Sequence, residues 1–137
     1  MASRAGYSGT PLPKKLGITD GTQFATKHAP ADFAELLGEL PDGARWRRRV
    51  RPGIDVAIGF YTRCSAMVRE WSQLTGAVAP HGTVWIAWPK RSSGATTDIT
   101  EDVLREEFLP TGWVDNKVCA IDATWSGLRF ALRRELR

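Results

Sequence analysis

Hydrophobic residues along this chain recur with two different periods, and the exchange of one period for the other marks out the elements. Phe33, Leu36, Leu37 and Leu40 follow the i, i+3, i+4, i+7 spacing of one buried helical face. Pro30, Asp32 and Glu35 suit the start of that helix. Met67, Trp71, Leu74 and Val78 repeat at helical spacing behind Ser65, which can serve as a cap. Ile99, Val103, Leu104 and Phe108 make a third stripe, opened by the capping-box pair Asp98 and Glu101 and closed by Pro110 and Gly112.

Six shorter segments read as strands: residues 21–27, 44–51, 54–61, 83–88, 113–121 and 126–134. IDVAIGFY and TVWIAW are continuously apolar, as expected of strands buried on both faces of a parallel sheet. In 126–134, Leu128, Phe130 and Leu132 alternate with Arg129, Ala131 and Arg133, the pattern of a strand with one wetter face. In 44–51, Trp46 and Val50 share one face, and Arg45, Arg47, Arg49 and Arg51 share the other. Strand–helix alternation in the middle of the chain requires parallel strands with crossover helices on both faces. The last two strands are joined by too few residues for anything but antiparallel pairing. The predicted fold class is therefore α/β: a three-layer, Rossmann-like open sheet, mostly parallel, with an antiparallel C-terminal strand pair. Residues 1–20, with two prolines and three glycines and no periodicity, read as an extended N-terminal arm. Residues 21–137 read as a single domain, in keeping with a chain of 137 residues.

Composition changes this picture little; charge changes it more. No apolar run approaches the roughly 20 residues of a membrane span. MASRAGYSGT lacks the apolar core of a secretory leader, so a cytoplasmic protein is expected. Cys64 and Cys119 have neither close spacing nor suitably placed histidines, so two reduced thiols are expected, with no metal and no cofactor. Residues 1–63 carry ten Lys/Arg against six Asp/Glu, whereas residues 64–137 carry nine of each. The whole cationic excess thus lies in the first half, and Arg45, Arg47, Arg48, Arg49 and Arg51 dominate it.

The strings AGYSGTPLPKKLGI, AWPK followed by TDITED, and VDNKVCAID resemble a family of small bacterial proteins known as a domain of unknown function. That resemblance implies no activity. The order of elements is similar to a shortened class I methyltransferase domain, above all in its second half. Such folds imply an S-adenosylmethionine site at the first strand-to-helix turn, where glycines let the backbone approach the ligand. Here the turn reads QFATKHAPADF, with no glycine between Gly21 and Gly38, and the second strand, RWRRRVR, has no acid to hold a ribose.

Open parallel sheets still place their functional surface at the carboxyl ends of the strands. Those ends offer Lys27, His28, Thr62, Arg63, Lys90, Arg91, Ser92 and Ser93 as candidate ligand-binding residues, with Thr96 and Thr97 close behind. The expected function is non-catalytic binding of an anionic small molecule or a protein partner at this rim. A diverged S-adenosylmethionine-dependent methyltransferase is the first alternative. The second is nucleic-acid binding by Arg45, Trp46, Arg47, Arg49 and Arg51, although cations on an edge strand also serve to discourage unwanted pairing. No catalytic residue and no membrane partner is expected. Trp71, Trp85 and Trp113 lie at core positions; Trp88 and Trp125 sit near strand ends, where a partner surface is conceivable.

Overall fold

A computed structural model describes residues 9–137; the first eight residues of the N-terminal arm lie outside the described part. The chain runs α1 (Leu12–Leu16), β1 (Gln23–Lys27), α2 (Phe33–Leu37), β2 (Arg45–Trp46), β3 (Val56–Phe60), α3 (Cys64–Val78), β4 (Thr83–Pro89), α4 (Glu101–Phe108), β5 (Trp113–Ala120) and β6 (Trp125–Leu132). The six strands form one sheet in the order β2-β1-β3-β4-β6-β5. β1, β2, β3 and β4 pair in parallel, while β6 pairs antiparallel with both β4 and β5. The predicted three-layer α/β architecture is the one observed.

Alternation along β3 shows how the layers are filled. Ala57 faces a core built with Met67, Trp71 and Leu74 of α3 and with Leu104 and Phe108 of α4. Val56, Ile58 and Phe60 face the opposite core, built with Leu12 and Leu16 of α1 and with Phe33 and Leu37 of α2. Because both faces are covered, β3 has no wet side, and its sequence carries no polar alternation. Trp71, Trp85 and Trp113 are all buried, as their periodicity predicts.

Four expectations need correction. Residues 12–18 are not extended: Leu12–Leu16 form a helical turn ended by Gly17 at φ 83°, and Leu12, Leu16 and Ile18 are core. Trp88 is buried in the α3–α4 core and offers no surface to a partner. The capping box is absent; Thr100 caps α4 by accepting from Val103 N–H, and Asp98 instead accepts from Cys64 N–H at 2.7 Å, at the start of α3. Ser65 caps nothing, because α3 begins one residue earlier.

A fifth correction bears on the site. The arginine segment is a strand for only two residues, Arg45 and Trp46. Its last bond to β1 is Arg47 N–H to the Phe24 carbonyl at 2.7 Å. β2 lies at the sheet edge with a neighbour on one side only, so nothing beyond it sustains a ladder. The chain then turns out, anchored by the buried Val50, and re-enters at Ile54.

Candidate functional site

The site begins where β1 ends. His28 has φ 60°, the only non-glycine residue in the left-handed region among the described residues. The turn thus takes a conformation usually left to glycine while keeping a side chain. That side chain is held: Nε2 lies 3.0 Å from Glu70 Oε1, so with the carboxylate accepting, Nε2 carries the proton. Glu70, on α3, also accepts from the Tyr61 hydroxyl at 2.7 Å and lies 3.9 Å from Lys27 Nζ. One carboxylate therefore gathers groups from the ends of β1 and β3.

Burial disfavours the charged form of Glu70, but hydrogen bonds from Tyr61 and His28 and the charge of Lys27 outweigh it, and its carboxyl is held below the usual range. Tyr61 moves the other way: burial first, then its bond to Glu70 and the negative charge there, hold its hydroxyl protonated far above the ordinary range. A carboxylate depressed on folding contributes stability that is complete above its unfolded pKa of about 4.3. That contribution is lost as pH falls through the lower folded value. Glu70→Gln keeps an acceptor for Tyr61 but has no proton to gain. Thermal melts from neutral to strongly acidic pH should therefore fall less steeply at the acid end for the variant. Superimposable acid limbs would show that the carboxylate's charge adds nothing.

Beside this cluster lies a basic crevice of about 510 Å³, lined by Thr26, Lys27 and His28, by Arg48–Arg51 and by Gln73 of α3. Gln73 Nε2 donates to the Val50 carbonyl at 3.2 Å and so fixes the arginine segment against the helix. Arg48, Arg49 and Arg51 are exposed. Among the described residues, no ion pair involves Arg45, Arg47, Arg48, Arg49 or Arg51. Arg47 donates to Gln23 Oε1 at 3.0 Å, a neutral partner. Like charges so gathered raise the local positive potential, and Glu70 is already engaged. Trp46, at the sheet edge, is not part of the crevice lining; it packs toward α2, edge-on to Phe33 with ring centroids 5.6 Å apart. Its ring stacks on Phe24 with centroids 5.8 Å apart, and its Nε1 donates to Thr26 Oγ1.

Of the predicted rim residues, Lys27 and His28 line this crevice, and Thr62, Arg63, Lys90, Arg91, Ser92 and Ser93 do not. Lys27 and His28 join the arginines, a grouping the sequence reading kept apart. Thr62 and Arg63 belong with the loop after β4, where the Thr97 hydroxyl donates to the Thr62 carbonyl at 2.7 Å. Lys90 donates its backbone N–H to Thr124, and Arg91–Ser93 form a short 3-10 turn. No hydrogen bond or ion pair joins Lys90, Arg91, Ser92 or Ser93 to Lys27 or His28 among the described residues. Lys90 lies instead on the side of Cys119, with Lys15, Lys117 and Arg129; burial still raises that thiol's pKa despite these cations. An anion at the helix starts is disfavoured, since Asp98 and Thr100 already take N–H groups there. Cys64 and Cys119 are both free thiols. Trp125 is half-buried, edge-on to Phe60 with ring centroids 5.2 Å apart.

Glu70, Tyr61 and Gln73 were absent from the sequence-based candidates. Glu70 stands 42 residues from His28, on a helix chosen for its apolar face, and no spacing rule links the two.

No family model matches the chain, and no curated protein matches it. Solved structures do. An S-adenosylmethionine-dependent methyltransferase from Aquifex aeolicus superposes with TM-score 0.61 at 12% identity, covering 87% of this chain and 86% of that one. A type 11 methyltransferase from Sulfolobus solfataricus, itself only provisionally assigned, gives 0.60 at 12% identity over 89% of each chain. The DhpI complex with S-adenosylhomocysteine gives 0.57 at 13% identity, covering 90% of this chain and 83% of that one. The fold is accordingly that of the Rossmann-like S-adenosylmethionine-dependent methyltransferases. Identities this low establish the fold and nothing finer. Among the described residues, no helix is long and apolar enough to cross a membrane.

Proposed function

We propose that this methyltransferase-like domain binds an anionic small molecule in the crevice between Lys27–His28 and Arg48–Arg51. The observation that carries the reading is electrostatic. Three guanidinium groups without carboxylate partners among the described residues line one cavity with a lysine and a histidine, and Glu70, which pairs with those two, is already engaged. Arginine's forked donors match phosphate or carboxylate oxygens, and cations already brought together on the folded chain lose their mutual repulsion when an anion arrives. The chemistry these donors supply is that of holding an anion, so the reading is one of binding.

A second reading, a diverged S-adenosylmethionine-dependent methyltransferase, is favoured by a different observation: the methyltransferase structures above are similar across nearly all of this chain. Against it stands the chemistry of the strand ends. S-adenosylmethionine brings a sulfonium cation and ribose hydroxyls, which call for acids, and here Lys27 and Arg47–Arg49 occupy the ends of β1 and β2. Titration calorimetry with orthophosphate and with S-adenosylmethionine, in separate runs, separates the readings. The expected result is saturable orthophosphate binding and no heat from S-adenosylmethionine. Micromolar S-adenosylmethionine binding without phosphate binding would reverse the assignment.

A further inference from the structure

The arginine segment is shared between two basins, and that arrangement says more about the occupant than its sign of charge. The inner basin is the crevice already described. The outer basin, about 300 Å³, is bounded by Arg47, Arg48, Arg49 and Arg51 and by Pro52–Ile54. Arg48, Arg49 and Arg51 line both, so the basins adjoin along the arginine ridge. Lys27 and His28 stand only at the inner end, and Arg47 only at the outer end. A single tetrahedral anion in the inner basin would leave Arg47 unanswered, and one in the outer basin would leave Lys27 and His28 to Glu70 alone. An anion that spans the ridge would answer both.

We propose that the natural occupant presents a linear diphosphate or longer phosphate chain, one phosphoryl group in each basin. This rests on the anion-binding reading above and adds the ligand's chemical class. The two basins supply two separate sets of forked donors, and the ridge arginines can bridge successive phosphoryl groups by turning one N–H to each side. Glu70 keeps Lys27 and His28 at the inner end, 3.9 Å and 3.0 Å from its carboxylate, which limits the positive charge there. Among the described residues neither lining contains an acid, but the cations of the outer end have no carboxylate partner, so more of their charge is left for the ligand to answer. Diphosphate chemistry occurs both as the inorganic ion and as the tail of a nucleoside diphosphate. Among the described residues, no tryptophan, tyrosine or phenylalanine lines either basin; Trp46, next to Arg47 in the chain and 39% exposed, packs toward α2.

The test is calorimetry at constant pH and ionic strength without divalent metal, on the full chain and on Arg47→Ala, which removes a cation of the outer basin only. Orthophosphate, inorganic diphosphate, inorganic triphosphate, adenosine diphosphate and a ten-residue oligothymidylate are titrated in turn. Diphosphate should bind at least tenfold more tightly than orthophosphate. Arg47→Ala should erase most of that gain while leaving orthophosphate binding unchanged. Adenosine diphosphate binding more tightly than inorganic diphosphate would support the proposal with a nucleotide source; equal binding would support it with phosphate alone recognised. Orthophosphate binding with no gain from diphosphate would overturn the proposal and leave the anion-binding reading standing. An oligothymidylate that outbinds triphosphate would overturn it in favour of a nucleic-acid backbone. Silence from every anion would remove both this proposal and the reading beneath it.

Discussion

Replacing Trp85 with alanine should lower the unfolding free energy by about 3–5 kcal/mol, the usual cost of truncating a buried tryptophan. Trp85 is completely buried in the middle of β4. Its indole N–H donates to the Leu16 carbonyl at 2.9 Å, tying the N-terminal segment to the sheet. The antiparallel strand also makes room for it: a Cβ on Gly127 would lie 3.1 Å from the indole. Alanine would leave a cavity beneath Leu12, Leu16 and Ile18 and an unpaired carbonyl at Leu16, so two costs act in the same direction. Urea denaturation followed by circular dichroism measures the loss. A change below about 1 kcal/mol, the range of ordinary surface substitutions, would mean that α1 is not anchored through this residue.

What the sequence made legible follows from how each feature is encoded. β3 and β4 were readable because burial on both faces leaves an unbroken apolar run, and the parallel pairing in the middle and the antiparallel final pair followed from connection lengths and handedness. α3 was readable because Met67, Trp71, Leu74 and Val78 share one face. Gly82, before β4, is needed for a reason sequence does not display: a Cβ there would meet the Asp55 carbonyl at 2.6 Å. α1 was missed because Leu12, Leu16 and Ile18 sit among prolines and glycines, and a single turn is too short to establish a period. The arginine segment was over-extended because alternation of Trp46, Val50 and the arginines imitates a strand, while the ending of an edge ladder depends on an absent neighbour. Half of the candidate crevice was visible as Lys27 and His28 at a strand end. The other half was visible only as a charge cluster, since the pairing of β2 with β1 that brings the two together is a long-range contact.

The central claim is that the arginine ridge and the end of β1 form one anion site. Removing two of its cations should have the second large effect. At about 4 Å in water-like surroundings each charge pair is worth about 1 kcal/mol. Arg48→Ala/Arg49→Ala should therefore weaken phosphate binding by about 30-fold. Stability should change little, because both side chains are exposed and make no ion pair among the described residues. The most direct measurement is a phosphate titration followed by amide chemical shifts in the wild-type protein and this double variant. The account predicts saturable shifts at residues 26–28, 48–51 and 73 in the wild type, and their near disappearance in the variant at the same phosphate concentrations. Shifts centred instead on residues 90–93 or 117–119, or equal in the two proteins, would contradict it.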